Sequence, residues 1–579
     1  MDYLTEYQAS LTDPESFWSR WADKLAWDTR WTKVYNPQGP LAKWFEGGRT
    51  NIAFNSARSE SSVLVWYSET GERLELKGRD LRLGIVGAAC KLKELGVGKG
   101  DKVAIYGPNA IQTLLYMLGS AWIGAVYSVI FAGLGEDAVR ARLDRLKPKV
   151  LIKARWTERK GRRIPLYFSG DIEYRILNDE EEEVMDLIEH GESCHLEYEA
   201  VEANEPLKVF FTSGTTGVPK GIVLPHGAWM VGDYEVFDYL FGLKDGDVVF
   251  TTADVGWITF SRIMYGTLLH GGKLVFMEGA PDYPSPNKIQ EIAEREHARV
   301  FFTSPTLIRL FRRLSADLPR TEFLAAAGEI FDESSWNYSL RFAEKVTDVY
   351  GQTELGYVIG TPYSLDGVEA KPGYAGVPLP GAELAVLDDE GKPTDGIGNL
   401  VSVRPFPTQF IGVLNDEVKF KQYFVRFGYH ETGDLAVREG LHFKIMGRND
   451  DMIKISGHRI TSGEVEAVVS EVKGVTEAAA VGVPDEIKGN KLVIFYVGDA
   501  TEDEIKRIVR EKLGPIYVVD DVIRVKKLPR SRSGKIVRSV LRKILTGEPF
   551  DPTVVDDPSD LREIEHVVRG KLQGSGSGH

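Results

Sequence analysis

"FFTSGTTGVPKG", residues 210–221, sets three glycines, three threonines, a serine and a lysine directly behind an apolar run, "LKVFF" (207–211). The hydroxyls of Thr212, Ser213, Thr215 and Thr216 can wrap an anion together with the close backbone amides of Gly214 and Gly217. Lys220 adds a compact point charge suited to phosphate. The stretch is not a P-loop, which needs G-x-x-x-x-G-K-[ST]. Here Val218 and Pro219 separate Gly217 from Lys220, and Gly221 stands where a magnesium-binding hydroxyl would follow. A ligand-free glycine–threonine hairpin is the competing reading, and the surrounding chain decides between the two.

Outward from this loop, between about residues 80 and 350, helical patterns alternate with short apolar runs: "KVAIYGP", "AVYSVIF", "VLIKA", "VVFTTAD", "KLVFMEG" and "RVFFTSP". This alternation predicts an α/β fold with largely parallel sheets. One segment, between Lys102 and Glu136, has no charged residue and is long enough to span a bilayer. It divides, however, into a strand, a Gly-Pro-Asn turn, a helix and a second strand, so it reads as a buried βαβ unit. The acidic run "NDEEEEVMD" (178–186) reads as a solvated helix face. Short strands and turns from about 370 to 445 predict a small β subdomain. After "GRNDDMIKISG" the pattern restarts with a helix, two strands, a helix and a strand. That predicts a separate α+β domain of about 115 residues, within the usual size range. The expected organisation is a tryptophan-rich lead-in packed on the main domain (1–60), a large domain (61–448), a smaller mobile domain (449–565) and a tail (566–579) whose "GSGSGH" ending has tag composition.

The 579 residues carry a formal charge of −14, 43% hydrophobic and 27% charged residues. That is ordinary globular composition, and its acidity argues against a general nucleic-acid or anionic-membrane binder. Anions must then be held by local basic pockets, glycine amides and a metal ion. The two cysteines, Cys90 and Cys194, lack metal-ligand spacing. They are expected to be separate thiols in a reducing cytoplasm, with no disulfide framework and no zinc site. The N-terminus has no signal-peptide core, "GVGKGD" (96–101) precedes a strand and is only a loop, and H-E-x-x-H, G-x-S-x-G and C-x-x-C are missing.

Four further motifs follow the loop. "DVYGQTELG" (348–356) offers Thr353 as a hydroxyl for a phosphate oxygen and Glu354 as a hard oxygen ligand for Mg²⁺. "YHETGDLA" (429–436) presents Asp434 beside a tight turn, where a carboxylate can take both hydroxyls of a ribose. "GRNDDMIKISGHRI" (447–460) supplies Arg448 and Arg459 around an acidic pair, and "LPRSRSGKIVR" (528–538) presents Lys535 on a basic loop. Taken singly, each has a bland reading as a turn aspartate, a surface arginine or a solvated lysine.

Their order and spacing decide the matter. Together they resemble the adenylate-forming superfamily of acyl- and aryl-CoA synthetases, peptide-synthetase adenylation domains and luciferases. "DPESFWSRWADKLAW", "KGDKVAIYGP", "IGAVYSVIFAG", "ADVGWIT" and "SGHRITSGEVE" extend the resemblance, toward the acetyl-CoA synthetase branch, over nearly the whole chain. The resemblance implies an AMP-forming acyl-CoA synthetase that takes ATP, CoA and a small carboxylic acid as substrates, with Mg²⁺ as cofactor. It implies cytoplasmic work, no nucleic acid and no membrane span, and leaves homo-oligomerisation open. An adenylation enzyme passing its acyl group to a carrier protein, and a non-catalytic nucleotide-binding protein, are the alternatives.

By the same resemblance, residues Thr212–Lys220 hold the β- and γ-phosphates. Thr353 and Arg459 meet the α-phosphate, and Glu354 ligates Mg²⁺. Asp434 and Arg448 hold the ribose, and Gly328 and Glu329 form the adenine wall, where the family's usual following proline is Ile330. Asp348, Tyr350, Gly351 and Gln352 complete the nucleotide site. Lys535 bridges the reacting carboxylate and the α-phosphate, and Asp450 is the hinge of a C-terminal domain that rotates between the two half-reactions. Arg159 and Arg162 meet the nucleotide phosphate of CoA. Trp257, Ile258, Thr259, Ala327 and Gly351 line the acyl pocket. Acetyl-specific members carry tryptophan at the position of Gly351 and valine at that of Ala327. Two losses of bulk imply an acid longer than acetate, from propionate to medium chain or a hydroxy acid such as 3-hydroxypropionate or 4-hydroxybutyrate. A tryptophan at 351 would then fill space left for the third and later carbons.

Overall fold

The computed structural model describes residues 1–166, 168, 175–178, 184–212, 219–455, 458–487, 489–515, 517–531 and 535–574. The chain separates into two compact units. The first comprises Met1–Ala385, Val401–Thr432 and Arg438–Lys444; the second comprises Val386–Leu400, Gly433–Val437 and Ile445–His579.

Two large sheets build the first unit. In the seven-stranded sheet the order is Arg175–Asn178, Val150–Lys153, Lys102–Gly107, Val126–Phe131, Pro206–Thr212, Lys220–Pro225 and Gly412–Val413. The first five strands run parallel; Lys220–Pro225 is antiparallel to Pro206–Thr212, and Gly412–Val413 is antiparallel to Lys220–Pro225. The uncharged segment resolves as expected into strand Lys102–Gly107, helix Ile111–Trp122 and parallel strand Val126–Phe131. Among the described residues no helix is long and apolar enough to cross a membrane. The nine-stranded sheet has a parallel centre of six strands, Ala343–Gln352, Thr321–Ala327, Val300–Thr303, Val248–Thr251, Lys273–Met277 and Val63–Tyr67. Burial on both faces accounts for the near-continuous apolar runs of such strands. Helices Gly227–Phe241 and Ile258–Leu269 are buried almost all round and pack on each other.

The second unit shows the alternation of a sheet covered on both faces. Strands Val475–Asp485 and Gly489–Gly498 are antiparallel, and Val519–Arg524 joins in parallel. Ala478, Ala480, Leu492 and Ile494 point to helices Ser462–Val469 and Glu502–Leu513. Ala479, Val481, Val493 and Phe495 point to Leu541, Ile564 and Val568 on the opposite face. That division follows from the two-residue period of a strand. Capping boxes of Thr461 with Glu464 and Thr501 with Glu504 start the first pair of helices.

The cysteines correct the sequence reading. Cys90, on helix Gly78–Glu94, and Cys194, ending helix Val184–Cys194, form a disulfide with their Cα atoms 6.6 Å apart. Glycines bring the helices together: a Cβ on Gly87 would lie 1.8 Å from the carbonyl oxygen of Leu187, and one on Gly191 2.0 Å from that of Leu83. A separation of 104 residues hides such a pairing from any spacing rule. Cys90→Ser is expected to cost about 2–4 kcal/mol, the usual worth of a disulfide. Thermal unfolding with and without reductant checks this, and identical melting temperatures would contradict it.

Candidate active site

The glycine–threonine loop joins two paired strands. Thr212 ends strand Pro206–Thr212 and Lys220 begins strand Lys220–Pro225, and the two residues face each other across the ladder. Ser213, Gly214, Thr215, Thr216 and Gly217 lie outside the described residues. Thr353 and Glu354 occupy the turn between strands Ala343–Gln352 and Gly356–Gly360. Tyr423, which the motifs did not single out, connects the two features. Its hydroxyl donates to Glu354 Oε1 at 2.9 Å, and Lys220 Nζ lies 5.7 Å from its ring centre.

Gln352, at the end of its strand, donates to the Thr432 carbonyl at 2.9 Å. Its Oε1 lies 2.8 Å from His430 Nε2, so that nitrogen is the donor. Burial pushes His430 down to about 3, so the ring is a neutral hydrogen-bonding strut. Asp348 is buried on the same strand, and burial raises its carboxyl far above the usual range. Tyr350 shares the strand and pairs with Ile359. Gly328 follows strand Thr321–Ala327 with φ +96°, a left-handed conformation that favours glycine, and with open space where a Cβ would stand. The Glu329 carboxylate turns to Thr306, 2.7 Å away, and to Arg309.

Within the second unit, Arg448 lies 3.4 Å from Asp434 and 3.8 Å from Asp450. Gly433 adopts φ +74°, and a Cβ there would stand 3.0 Å from the Arg448 guanidinium. Gly433 thus sits inside strand His430–Glu439 and not on the tight turn expected from the sequence, and its left-handed φ is what favours glycine there. Asp450 sits in the 3₁₀ turn Asn449–Asp451 with its side chain 64% exposed. Arg459 is on strand His458–Thr461, and its side chain lies outside the described residues. Lys535 is exposed on a loop closed by the Ser531 amide donating to the Lys535 carbonyl at 2.8 Å.

Arg159 and Arg162 are directly opposed across a hairpin of strands Trp156–Arg159 and Arg162–Pro165. The turn between them, Lys160 at φ 52° and Gly161 at φ 71°, has the two left-handed residues of a type I′ turn. Two exposed like charges facing each other destabilise a hairpin, and a bound anion offsets that cost. Glu69 fastens the turn: its carboxylate accepts from the amides of Lys160 (2.7 Å), Gly161 (2.8 Å) and Ala280 (2.8 Å). Burial works to raise that carboxyl, and the three amides with nearby Lys288 outweigh it and hold it below its ordinary value. Glu278 accepts from the Glu158 amide at 3.0 Å, and burial pushes it up to about 7. No local signal in the sequence marks Glu69 or Glu278, because each reaches the hairpin from a distant strand end.

Trp257 caps helix Ile258–Leu269, whose first turn holds Ile258 and Thr259; its ring lies 5.2 Å from that of Phe131. Ala327 ends its strand beside Val349. Gly351 corrects the expectation of empty space. A Cβ there would stand 2.1 Å from the Gly356 carbonyl oxygen and 2.7 Å from Tyr357 Cδ1. The ring of Tyr357 already occupies the direction a side chain would take, so tryptophan at 351 would displace backbone instead of filling a void. Among the described residues no group of three His, Cys, Asp or Glu side chains could hold a metal. Mg²⁺ is commonly held by one or two carboxylates together with substrate phosphates, and Glu354 on its turn fits that role.

Residues 57–407 match the family model for the AMP-binding enzyme. Residues 464–535 match the AMP-binding enzyme C-terminal domain, and residues 3–56 match the acetyl-coenzyme A synthetase N-terminus. The chain is 36% identical to a 3-hydroxypropionyl-coenzyme A synthetase of Metallosphaera sedula, over 98% of this chain and 95% of that protein. It is 34% identical to an acetyl-coenzyme A synthetase of Chlorobaculum tepidum, over 97% and 93%. Among solved structures, acetoacetyl-CoA synthetase from Streptomyces lividans superposes with a TM-score of 0.85 at 25% identity, covering 98% of this chain and 94% of that one.

Proposed function

The chain belongs to the AMP-binding enzyme family as an AMP-forming acid–CoA ligase, and from that premise we propose that its acid is a short carboxylic acid longer than acetate, carrying a hydroxyl or carbonyl oxygen. What carries this reading is the likeness to ligases of oxygen-bearing acids; Gly351 adds only that the tryptophan of acetyl-specific members has no room, because Gly356 and Tyr357 already fill that space. Relatives described as 3-hydroxypropionyl-CoA synthetases, at 36% and 35% identity, support it.

In the first half-reaction a carboxylate oxygen bonds to the α-phosphorus of ATP and the bond to the β-phosphate bridging oxygen breaks, releasing pyrophosphate. In the second, the CoA sulfur bonds to the acyl carbon, the thiol proton is lost and AMP departs. Thr212 and Lys220, with the loop between them, hold the β- and γ-phosphates; Thr353 and Arg459 steady the α-phosphate. Asp434 and Arg448 hold the ribose. Gly328 and Glu329 form the adenine wall, and Asp348, Tyr350, Gly351 and Gln352 complete the nucleotide site. Glu354, together with the phosphates, would hold Mg²⁺, which would supply charge neutralisation when bound. Lys535 bridges carboxylate and α-phosphate, where positioning and electrostatics supply most of the catalysis. Asp450 is the pivot on which the smaller domain, residues 449–565, turns between the steps. We place the work in the cytoplasm because ATP and CoA are pooled there, although the Cys90–Cys194 disulfide is not the state a reducing compartment favours.

Arg159 and Arg162 receive the CoA nucleotide phosphate. Arg159→Ala combined with Arg162→Ala is expected to raise KM for CoA roughly thirtyfold, at about 1 kcal/mol per contact. Acid-dependent ATP–pyrophosphate exchange should stay unchanged. Glu69→Gln should act in the same direction by loosening the hairpin. An unaltered KM for CoA would return the hairpin to plain surface.

The acid is tested by thioester formation from acetate, propionate, butyrate, hexanoate, 3-hydroxypropionate, 4-hydroxybutyrate and acetoacetate at fixed ATP and CoA. The reading expects the oxygen-bearing acids to lead. Acetate leading would contradict it.

A further inference from the structure

Behind the first turn of helix Ile258–Leu269 lies a buried polar cluster to which the motifs assign no role. Arg262 and Asp233 are wholly buried and joined by Arg262 NH1 to Asp233 Oδ1 at 2.6 Å. Arg262 Nε and NH2, Asp233 Oδ2, Trp229 Nε1 and the Tyr357 hydroxyl are all buried without a hydrogen-bond partner. Buried polar groups in folded proteins are nearly always satisfied, and each exception needs an explanation. Five exceptions in one place, two of them on a guanidinium, point to a ligand that completes the set.

Their position says which ligand. The Arg262 guanidinium lies 5.2 Å from the Tyr357 ring centre and 4.9 Å from that of Trp229. Tyr357 pairs with Gly351 across the hairpin whose turn carries Thr353 and Glu354. Arg262 NH2 stands 3.4 Å from where a Cβ on Gly356 would be. Thr259 lies one helical turn before Arg262 and on the same face. Its hydroxyl sits beside that of Tyr357, near enough to work against the rise that burial imposes on the phenol, but outside hydrogen-bonding geometry. The cluster thus underlies Thr259 and Gly351, the two walls of the proposed acyl pocket.

We propose that Tyr357, Arg262 and Asp233 form an oxygen-reading subsite at the far end of the acyl pocket. It binds an uncharged hydroxyl or carbonyl on the acid's chain and discriminates against acids without one. This rests on the acyl-activating reading above and adds the residues that make the choice. Arg262 and Tyr357 donate to the substrate oxygen, and Asp233 Oδ2 accepts from a hydroxyl. A second carboxylate is disfavoured, because Asp233 already pairs Arg262 at 2.6 Å and the neighbouring buried Lys208 is committed to Ser261 Oγ at 2.6 Å. A site built to bond a substrate hydroxyl rejects the analogue lacking it, since its own polar groups are then left unpaired.

The test is acid-dependent ATP–pyrophosphate exchange on matched pairs, 3-hydroxypropionate against propionate and 4-hydroxybutyrate against butyrate, with acetoacetate and succinate added. The wild type should favour the oxygen-bearing member of at least one pair by tenfold or more in kcat/KM and leave succinate unused. Tyr357→Phe, which removes one oxygen atom, should cut that ratio about fivefold to tenfold and leave the alkyl acid within about twofold. Arg262→Met combined with Asp233→Leu should bring the ratio near one; both charges go together because removing one strands the other. If that double variant does not fold, Tyr357→Phe decides alone. A wild-type ratio near one in both pairs, or a Tyr357→Phe variant that slows both members equally, overturns the subsite while leaving the ligase reading intact. Exchange with no acid at all would instead overturn the reading beneath it.

Discussion

Lys535→Ala is expected to slow adenylation by about 10²–10³-fold, the usual loss when one preorganised group facing transition-state charge is removed. Conversion of supplied acyl-adenylate to thioester should change little, because the proposed bridge between carboxylate and α-phosphate has no part in thiol attack. The substitution is structurally mild. Lys535 is exposed, and its loop is held by backbone contacts, the Ser531 amide to the Lys535 carbonyl at 2.8 Å and the bridge between Arg530 and Ile536. A loss of rate therefore reports chemistry. Single-turnover assays of the two half-reactions make the check, and an equal fall in both would contradict the division of labour.

Asp450→Pro is expected to separate the half-reactions in the opposite sense. Proline fixes φ near −65°, which a residue that must turn between two arrangements does not tolerate. The Asp450 side chain is 64% exposed and its ion pair with Arg448 is long at 3.8 Å, so exposed-pair energetics put the lost contact at well under about 1 kcal/mol. ATP–pyrophosphate exchange should survive while thioester formation falls by about 10²-fold or more, a barrier increase of roughly 2.7 kcal/mol. Asp450→Ala, which keeps the backbone free, should retain both. If the proline variant turns over normally, the pivot lies elsewhere.

What the sequence made legible was local. The alternation of Ala478, Ala479, Ala480 and Val481 places each residue on its own face of the sheet, and the βαβ unit from Lys102 to Phe131 follows from three short apolar patterns. Thr353 and Glu354 follow the end of an apolar strand as their motif suggested, whereas T-G-D, expected beside a tight turn, lies inside strand His430–Glu439. What stayed hidden was contact between distant segments. Tyr423 reaches Glu354 across 69 positions, Glu69 reaches Gly161 across 92, and Cys90 bonds Cys194 across 104. No period or motif encodes such pairings. Gly351 shows a different failure. Losing a side chain there reads as a void, yet Tyr357 in the returning strand fills it, so volume at one position means little without its neighbour across the ladder.

The central claim is that the acid is activated as an adenylate before CoA is engaged. The most direct measurement follows labelled pyrophosphate into ATP with acid and Mg²⁺ but no CoA, then adds CoA and counts AMP and thioester. The account predicts acid-dependent exchange without CoA, and one AMP for each thioester once CoA is present. ADP and phosphate as products, or no exchange until CoA is added, would contradict it.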